Sequence, residues 1–522
     1  MIHLRGRSET RVGFALLAAC ALILIVGAPR AAARDAVGTA VAGPTPGTAD
    51  HPLPGVTYGP TADADEMNQS VIETPGAVAG ESYLHLGLLT FKTWAFKALD
   101  APVGSRPFDY PNAGSTNTPV DEVSMRWING VPYDFALRQA ESGYHALNSY
   151  RLTGDQYFLL KAEAQADHLI ARHASVGSGW FYPSGFYYYF GQPVPDVLVP
   201  PWYSGIAQGA AVGFFARLYE ATGKQVYQNA ADHTLESFLV RQGAGHPWVS
   251  RVDSSGYLRL EEYPGTGWEF VFNGHMEAAM GLWDYYRVTH DARALALYKG
   301  ALTSVVKYGE AFRTRNWVSA YSLGARRLLS HYHVGVMRQM SQLHTISGDP
   351  RFIHLVNDFD DDYPPPVVTG VVRVLPGNHT LCRFSDGGAC LTSRTIHPRV
   401  EQLCHVNRRK RIHGQSGIWL SVTSGSLKGY YVREVMDHVY VRGAVDTLIY
   451  DPSVRVTLKA GHWTAKQFND EGGVTDSQPL DVPSAQSARV SQRAILNGIP
   501  KVLLASGPLS DYWVPQRAVV LP

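Results

Sequence analysis

The chain has 522 residues, of which 45% are hydrophobic and 17% are charged. This composition excludes an intrinsically disordered protein and predicts two or three globular domains. Its 46 basic and 45 acidic residues give a formal net charge of +1, a balance without the basic surface that nucleic-acid binding needs.

The first 33 residues have the pattern of a targeting segment. Arg5, Arg7 and Arg11 precede an apolar run over residues 12–28, and small residues follow at 31–33. This order predicts a secretory signal peptide, and the length of the run also suits an uncleaved membrane anchor. We therefore expect a secreted or membrane-anchored, extracytoplasmic protein.

For residues 34–125 we expect an N-terminal extended or β region. The part up to about residue 75 is rich in Ala, Gly, Pro and Thr, which is typical of a linker. The apolar run at 83–89 predicts a strand.

Residues 126–362 predict an all-α domain. Apolar helical periods are interrupted by similar short turns 58 to 69 residues apart. These turns are Thr153-Gly154-Asp155, Thr222-Gly223-Lys224, Thr289-His290-Asp291 and Ser347-Gly348-Asp349. Two helices per interval indicate an α/α toroid or barrel, with its connecting loops around a central cavity.

Residues 363–522 predict a β-rich domain with short Val, Tyr and Leu runs between turns. The segment 424–432 is echoed at 506–514, at an offset of 82 residues, so we expect two related modules at about 410–450 and 490–522. They serve either as a structural cap or in attachment to a glycan or cell wall. Cys382 and Cys390 bracket a turn, and their spacing suits a disulfide in an oxidising compartment.

Three segments of the helical region combine aromatic and titratable residues. The first is Trp202-Tyr203-Ser204-Gly205, the second runs from Glu261-Glu262-Tyr263 to Phe272-Asn273-Gly274, and the third runs from Tyr321 past Arg326 and Arg327 to His331-Tyr332-His333. Taken singly, these segments suit core aromatics and a surface acidic pair equally well. His331 and His333 lack a third ligand at metal spacing, so whether the protein holds a metal stays unknown.

These three motifs, in this order over residues 198–355, resemble the C-terminal catalytic domain of the D-glucuronyl C5-epimerases. The resemblance implies an isomerase that inverts C5 of D-glucuronate to L-iduronate in a polysaccharide, as on heparosan-type glycosaminoglycan. It assigns proton transfer to Glu262, Tyr263, Tyr321 and Tyr332. It also implies substrate contacts, which we assign to Trp202, Tyr203, Ser204, Gly205, Asn273, Glu277, Arg326, Arg327, His331 and His333.

The chain departs from the family pattern after Tyr321. There the family shows Asp, Leu and then an Arg that binds the substrate carboxylate, whereas this chain has Ser322, Leu323 and Gly324. We expect Arg326 or Arg327 to substitute for that Arg. No cofactor is expected, and the calcium that the resemblance implies maps onto no residues here.

Removing the C5 proton requires the adjacent carboxylate to be neutralised and needs a base and an acid on opposite faces of the sugar ring. A tyrosine base needs a lowered pKa, which a nearby cation would provide. The expected partner is an acidic polysaccharide, and a homodimer and an association with the cell wall or membrane are further expectations. The alternatives are a uronate lyase, a glycosidase that pairs Glu262 with Glu269, Glu277 or Asp284, and a non-catalytic glycan-binding protein.

Overall fold

The computed structural model describes residues 67–73, 88–189, 197–265, 269–324 and 326–522. The expected signal or anchor at residues 1–33 lies outside this part of the chain. Within it, no helix combines the length and hydrophobicity that a membrane span requires.

Among the described residues, eight helices fold as four consecutive hairpins. They are α1 (Ala136–Thr153), α2 (Gln156–Arg172), α3 (Gly205–Thr222), α4 (Gln225–Ser237), α5 (Phe272–Thr289), α6 (Ala292–Phe312), α7 (Ser330–Ser347) and α8 (Pro350–Asp362). The two helices of each hairpin pack against each other. An α/α helical domain, expected from the recurring turns, is therefore present.

Each predicted turn joins the two helices of one hairpin. The residue after the first helix adopts the left-handed conformation, with φ of 71°, 67°, 57° and 68° in chain order. Glycine adopts this conformation without a steric penalty and occupies three of the four positions. In three of the hairpins an aspartate then accepts a hydrogen bond from the first turn of the second helix, whereas Lys224 of the α3–α4 turn makes no such side-chain bond.

The first helices of successive hairpins, α1, α3, α5 and α7, pack side by side in chain order. Small residues allow the closest approach: a Cβ atom added at Gly281 of α5 would lie 1.8 Å from the carbonyl oxygen of Gly209 on α3. At Gly213 of α3 a Cβ atom would meet the Tyr144 hydroxyl of α1 and the Gly281 backbone. These contacts bring α1, α3 and α5 close together near their middles.

Short antiparallel pairs accompany the helices. They are β1 (Met67–Glu73) with β2 (Leu88–Trp94), β3 (Arg126–Ile128) with β4 (Val131–Tyr133), β5 (Ala174–Val176) with β6 (Gly179–Phe181), β7 (Tyr188–Tyr189) with β8 (Val197–Leu198), and β9 (Ser250–Val252) with β10 (Leu258–Leu260). Most of the run at residues 83–89, where we expect a strand, lies outside the described residues, and β2 starts at Leu88. Strand β2 buries Phe91 against Gly300 of α6, and this contact attaches the strand to the helical domain.

The region after α8 consists of two seven-stranded sheets. The first contains β11 (Val367–Val374), β12 (His379–Phe384), β13 (Cys390–Ile396), β14 (Gln402–Lys410), β15 (Trp419–Val422), β16 (Tyr431–Arg433) and β17 (Val439–Val441). The second contains β18 (Ala444–Leu458), β19 (Gly461–Phe468), β20 (Val474–Val482), β21 (Gln486–Leu496), β22 (Ile499–Leu504), β23 (Trp513–Pro515) and β24 (Val519–Val520). The expected β-rich region is present.

The two sheets are structural repeats. Their strand orders, β13-β12-β16-β15-β14-β11-β17 and β20-β19-β23-β22-β21-β18-β24, are identical once the strands are numbered within each sheet. Leu420 pairs with Val432, and Val502 pairs with Val514, at the same offset of 82 residues. The module boundaries predicted at 410–450 and 490–522 are therefore too narrow, because the repeats run over 367–441 and 444–520. In the first repeat a disulfide joins Cys382 to Cys390.

Candidate active site

Four aromatic hydroxyls converge beside the N-terminal ends of α5 and α7. Tyr263 follows β10, Tyr321 precedes α7, Tyr332 lies in the first turn of α7, and Tyr188 is on β7. They belong to one apolar cluster that also contains Trp202. The structure thus brings together three tyrosines that sequence analysis selected and one that it did not.

A chain of hydrogen bonds links the hydroxyls. Tyr321 donates to Oε1 of Glu262 at 3.2 Å, and the Tyr321 and Tyr263 hydroxyls lie 3.2 Å apart. Tyr263 donates onward to Tyr188 at 3.4 Å, and the two rings stack with their centroids 5.0 Å apart. The Tyr332 ring lies 4.4 Å from the Tyr321 ring. These groups can pass a proton along a connected path.

Glu262 is held in place by its neighbours. Its backbone carbonyl accepts a hydrogen bond from the Ser204 hydroxyl at 2.6 Å. A Cβ atom at Gly274, in the first turn of α5, would lie 2.2 Å from Glu262 Oε2, so the carboxylate occupies space that only glycine leaves free. Oε2 is buried and has no hydrogen-bond partner among the described residues. It is therefore an acceptor that a ligand or water would satisfy.

Burial makes Glu262 the titratable group of the cluster that is best matched to neutral pH. Loss of solvation raises its pKa to about 7, against the lowering effect of hydrogen bonds from Tyr263 and Tyr321. A carboxyl group with this pKa can both accept and return a proton near pH 7.

The tyrosines differ from the expected phenolate base. Burial first, and the charge of Glu262 next, hold the pKa values of Tyr263 and Tyr321 well above the ordinary 10.0. The same two causes raise the pKa of Tyr332 to about 12. The charge of Glu262 also disfavours a phenolate, and the tyrosines are therefore protonated donors in this arrangement.

Glu261 and Glu262 point in different directions, as expected for neighbours in an extended chain. Glu261 is buried, and the charges of Arg259 and Arg251 and a backbone hydrogen bond from Phe270 oppose the raising effect of burial on its pKa. Two of the three partners considered for a glycosidase pair are also engaged. Glu269 accepts a hydrogen bond from Ser322, and Asp284 pairs with Arg217 at 2.9 Å.

The residues of the first sequence motif lie in two different environments. Trp202 packs 6.1 Å from the Tyr263 ring and donates its indole N–H to the Phe186 carbonyl at 2.7 Å. Tyr203 points away, with its ring against Phe181. The Gly205 N–H binds the Glu261 carbonyl at 2.8 Å. Tyr203, Ser204 and Gly205 thus support the chain on either side of the site, and their predicted contacts with substrate stay predictions.

Asn273 and Glu277 extend the site down α5. The Asn273 side-chain oxygen is buried without a hydrogen-bond partner in the described part of the chain. Gln339 of α7 donates to the Asn273 carbonyl at 3.2 Å and to Glu277 Oε2 at 3.4 Å. These polar groups continue the site along the facing sides of α5 and α7.

Two of the predicted cationic and imidazole contacts are used elsewhere. The Arg326 guanidinium donates to the Ala311 carbonyl at 2.8 Å, so it secures the end of α6 and does not replace the missing arginine. His333 is buried, accepts from the Ser319 N–H at 2.9 Å and stacks on Phe359, and burial lowers its pKa to about 4. It is a core residue that does not reach the tyrosines.

The remaining two residues of this motif lie at its edge. His331 is exposed, and its ring is 4.4 Å from the Tyr332 ring. The Arg327 backbone carbonyl accepts from the Tyr321 N–H at 2.7 Å. Both residues therefore adjoin the site, and their predicted contacts with substrate stay predictions.

Sequence reasoning missed Tyr188, although a signal for it exists. It is the central residue of Tyr187-Tyr188-Tyr189, and side chains alternate between the two faces of a strand. Tyr187 and Tyr189 are 56% and 69% exposed, which leaves Tyr188 as the one of the three that turns inward.

One metal-like group lies outside this site. Among the described residues, Glu310, His354 and Asp358 place ligand atoms within 4.8 Å of one another. Arg313 already pairs with Glu310 at 2.9 Å and with Asp358 at 2.5 Å. The guanidinium therefore supplies the positive charge that a metal would bring, and the group is better described as an ion-pair cluster between α6 and α8.

Comparison with known proteins supports the resemblance. Residues 181–361 match the family model described as D-glucuronyl C5-epimerase C-terminus. A D-glucuronyl C5-epimerase of Caenorhabditis elegans is 32% identical over 88 residues, which are 17% of this chain and 14% of that protein. An uncharacterized protein of Methanocaldococcus jannaschii is 28% identical over 153 residues, 29% of this chain and 49% of that protein. The chain thus spans half or less of the length of these relatives.

Among solved structures, the cellobiose 2-epimerase of Bacillus thermoamylovorans aligns with 44% of this chain and 59% of its own, at 13% identity and a TM-score of 0.33. A D-mannose isomerase aligns with 49% of this chain and 66% of its own, at 10% identity and the same TM-score. Scores this low support no inference about function.

Proposed function

We propose that this chain, whose residues 181–361 match the family model described as D-glucuronyl C5-epimerase C-terminus, inverts C5 of D-glucuronate within a polysaccharide and so forms L-iduronate. The observation that carries the proposal is the hydrogen-bonded group of Glu262, Tyr321 and Tyr263. It combines one carboxyl group that titrates near neutral pH with phenols that stay protonated.

In the proposed reaction, Glu262 is the base and a tyrosine is the acid. The Glu262 carboxylate takes the C5 proton directly or through the hydroxyl of Tyr321, which already donates to it. A protonated tyrosine on the other face of the ring, Tyr332 or Tyr263, returns a proton to C5. The C5–H bond is broken and reformed with inversion, and the electron pair rests meanwhile on the substrate carboxyl group.

Proton return to the enzyme closes the cycle. The phenolate left on the donor tyrosine regains a proton along the hydroxyl chain, at the end of which Glu262 holds the proton taken from the sugar. The proton passes in this direction because the pKa of Glu262, about 7, lies well below that of a site tyrosine such as Tyr332, about 12.

The direct test is incubation of the protein with glucuronate polymers, heparosan among them, in deuterated water. The proposal predicts deuterium at C5 and L-iduronate among the products, both detected by NMR. An unsaturated, UV-absorbing uronate would identify a lyase that shares the first step, and new reducing ends without C5 exchange would identify a glycosidase. Binding without any of these changes would identify a non-catalytic glycan-binding protein.

A further inference from the structure

The first β repeat carries an excess of positive charge that the second repeat lacks. Residues 367–441 contain ten Lys and Arg against four Asp and Glu, whereas residues 444–520 contain seven of each kind. Because both repeats have the same strand order, the fold itself does not require this excess. The first repeat also lies outside residues 181–361, which match the family model.

Strand pairing shows where the two repeats differ in charge. The register of β14, β15 and β16 against that of β21, β22 and β23 aligns three basic residues of the first repeat with neutral residues of the second: Arg408 with Gln492, Lys410 with Ala494, and Arg433 with Pro515. In the opposite direction, Lys501 stands where the first repeat has Trp419, but Lys501 is only 7% exposed.

The three basic residues share one face of the first sheet. Lys410 and Arg433 pair with Trp419 from its two sides, and directly paired residues point to the same face. Arg408 lies two residues before Lys410 on β14, so its side chain points the same way. The Lys410 ammonium group lies 5.8 Å from the centre of the Tyr431 ring on β16, as expected for neighbours on one face.

These charges are available to a ligand. Arg408 and Arg433 are exposed and Lys410 is half-buried. Within residues 326–522, all of which the structure describes, none of the three forms an ion pair. Arg409 lies between two of them in sequence but points to the opposite face, where it pairs with Glu434 at 2.9 Å.

Aromatic rings lie among the cations. Phe384 packs edge-on against Trp419 at 4.9 Å and against Tyr431 at 5.6 Å, and the Tyr431 ring is half-buried. Since β14 and β16 flank β15, the Cα atoms of Lys410 and Arg433 are about 10 Å apart. That separation is close to the length of one disaccharide unit. Cations at this spacing around a ring suit a chain of sugars with a carboxylate on every second unit.

The face lies within reach of the candidate active site. The rings of Trp317 and His413 are 5.3 Å apart and join the α6–α7 segment to the first repeat. Trp317 lies four residues before Tyr321, and His413 lies three residues after Lys410. The basic face is therefore at most about 40 Å from the tyrosines. A long polymer can contact both places, whereas a short fragment can occupy only one.

We propose that the face formed by Arg408, Lys410, Arg433 and Tyr431 is a second binding site for an acidic polysaccharide, which holds a long uronate polymer while one of its sugars occupies the active site. The inference rests on the proposed function for the identity of the polymer. Binding at this face changes no covalent bond. Charge complementarity selects a polymer of uronates over a neutral glycan.

The test is calorimetric titration of the full chain with long heparosan and with a heparosan tetrasaccharide. The variant Arg408→Gln/Lys410→Ala/Arg433→Gln removes the three charges, and its first two changes introduce the residues of the second repeat. Its affinity for the long polymer should fall about tenfold, the sum of three exposed charge contacts. Its affinity for the tetrasaccharide should change little, because the active site is intact. Added salt should narrow the difference between variant and wild type.

A matched control removes three charges from the second repeat. Arg455, Lys459 and Arg517 are exposed there. The variant Arg455→Gln/Lys459→Gln/Arg517→Gln has the same net charge as the first variant and should bind long heparosan as wild type does. Equal weakening in both variants would show that total charge governs the affinity, and it would overturn the inference.

Other results also decide the question. If the first variant binds long heparosan like wild type but loses binding to phosphatidylserine vesicles or to single-stranded DNA, the face serves a membrane or a nucleic acid and the inference fails. It also fails if carboxyl-reduced heparosan binds wild type as tightly as heparosan does. C5 exchange by wild type, with unchanged polymer binding in the first variant, leaves only the proposed function standing. The predicted loss of polymer binding, without C5 exchange by wild type, leaves only the second site standing.

Discussion

At the scale of single residues, the ionised form of Glu262 is costly to bury. Its folded pKa of about 7 lies above the ordinary 4.5, so the folded protein binds more protons between these two values than the unfolded chain does. The contribution of this group to stability is fully present below pH 4.5 and is lost as the pH rises towards 7.

This loss of stability with rising pH can be tested by mutation. Glu262→Gln cannot ionise, so it should raise the free energy of unfolding at about pH 8 by roughly 3 kcal/mol and change it little at about pH 4. Urea unfolding at the two pH values measures the difference. Equal changes in the free energy of unfolding at the two pH values would show that the pKa of Glu262 is not raised. We also expect the same variant to lose C5 epimerisation while it gains stability.

Gly274 gives a steric prediction. A Cβ atom there would lie 2.2 Å from Glu262 Oε2 and 2.9 Å from Glu262 Cβ, so Gly274→Ala must displace the carboxylate. We expect a loss of about 1–3 kcal/mol in unfolding free energy, together with a large fall in activity. Gly335→Ala on α7 is the control, because no atom lies within 4 Å of its added Cβ. That variant should gain up to about 1 kcal/mol from helix propensity and keep its activity.

At the scale of elements, the four turns were the most predictable feature. A Thr or Ser, a residue that tolerates positive φ and, in three of the four turns, an Asp specify a helix end and a new helix start from local chemistry alone. The site segments were harder to predict, because the direction in which a side chain points depends on how the segment packs. Trp202 and Tyr203 are adjacent, yet only Trp202 reaches the tyrosines. Nothing local distinguishes His333, a core residue, from the site residue Tyr332 beside it.

The turns themselves give a test. Asp155 accepts a hydrogen bond from the Tyr157 N–H at 2.9 Å at the start of α2. Asp155→Ala should lower the free energy of unfolding by about 1 kcal/mol, while Asp155→Asn, which keeps the accepting oxygen, should change it little. Thermal or urea unfolding compares the two. Equal losses of unfolding free energy in both variants would mean that the charge of Asp155 stabilises the helix and its capping hydrogen bond does not.

At the scale of the whole molecule, the helical domain and the β repeats meet at buried charges. Arg493 of the second repeat pairs with Asp361 of α8, lies 3.7 Å from Asp360 and donates to Asn357 Oδ1 at 3.3 Å. Arg493 and Asp360 are 6% and 3% exposed. Removing one partner of such a pair leaves a buried charge without compensation.

Arg493→Met should therefore destabilise the protein by about 3–5 kcal/mol, whereas Arg517→Ala, at an exposed position of the same repeat, should stay within about 0.5 kcal/mol. Calorimetry also reports whether the helical and β regions then unfold in separate transitions. A small effect of Arg493→Met would show that apolar contacts hold this interface.

Features that depend on contacts between distant segments could not be predicted from local sequence patterns. The echo at 424–432 and 506–514 predicted related modules, but only strand pairing reveals that each repeat has seven strands and starts near residues 367 and 444. Tyr144 is likewise an ordinary aromatic residue in the sequence of α1. It binds the buried Asp284 of α5 only because α1 and α5 both pack against α3.

The central claim is that residues from separate elements, Glu262 and Tyr263 before α5 and Tyr332 on α7, act on one C5 atom. It is tested most directly by measuring C5 deuterium exchange and sugar inversion separately in Tyr263→Phe and Tyr332→Phe, with Tyr189→Phe, whose ring is 69% exposed, as the control. The account predicts that both site variants stay folded, that each loses inversion about 10²–10⁴-fold, and that one of them still exchanges the C5 proton. Near-normal inversion in both variants, with the control unchanged, would contradict it.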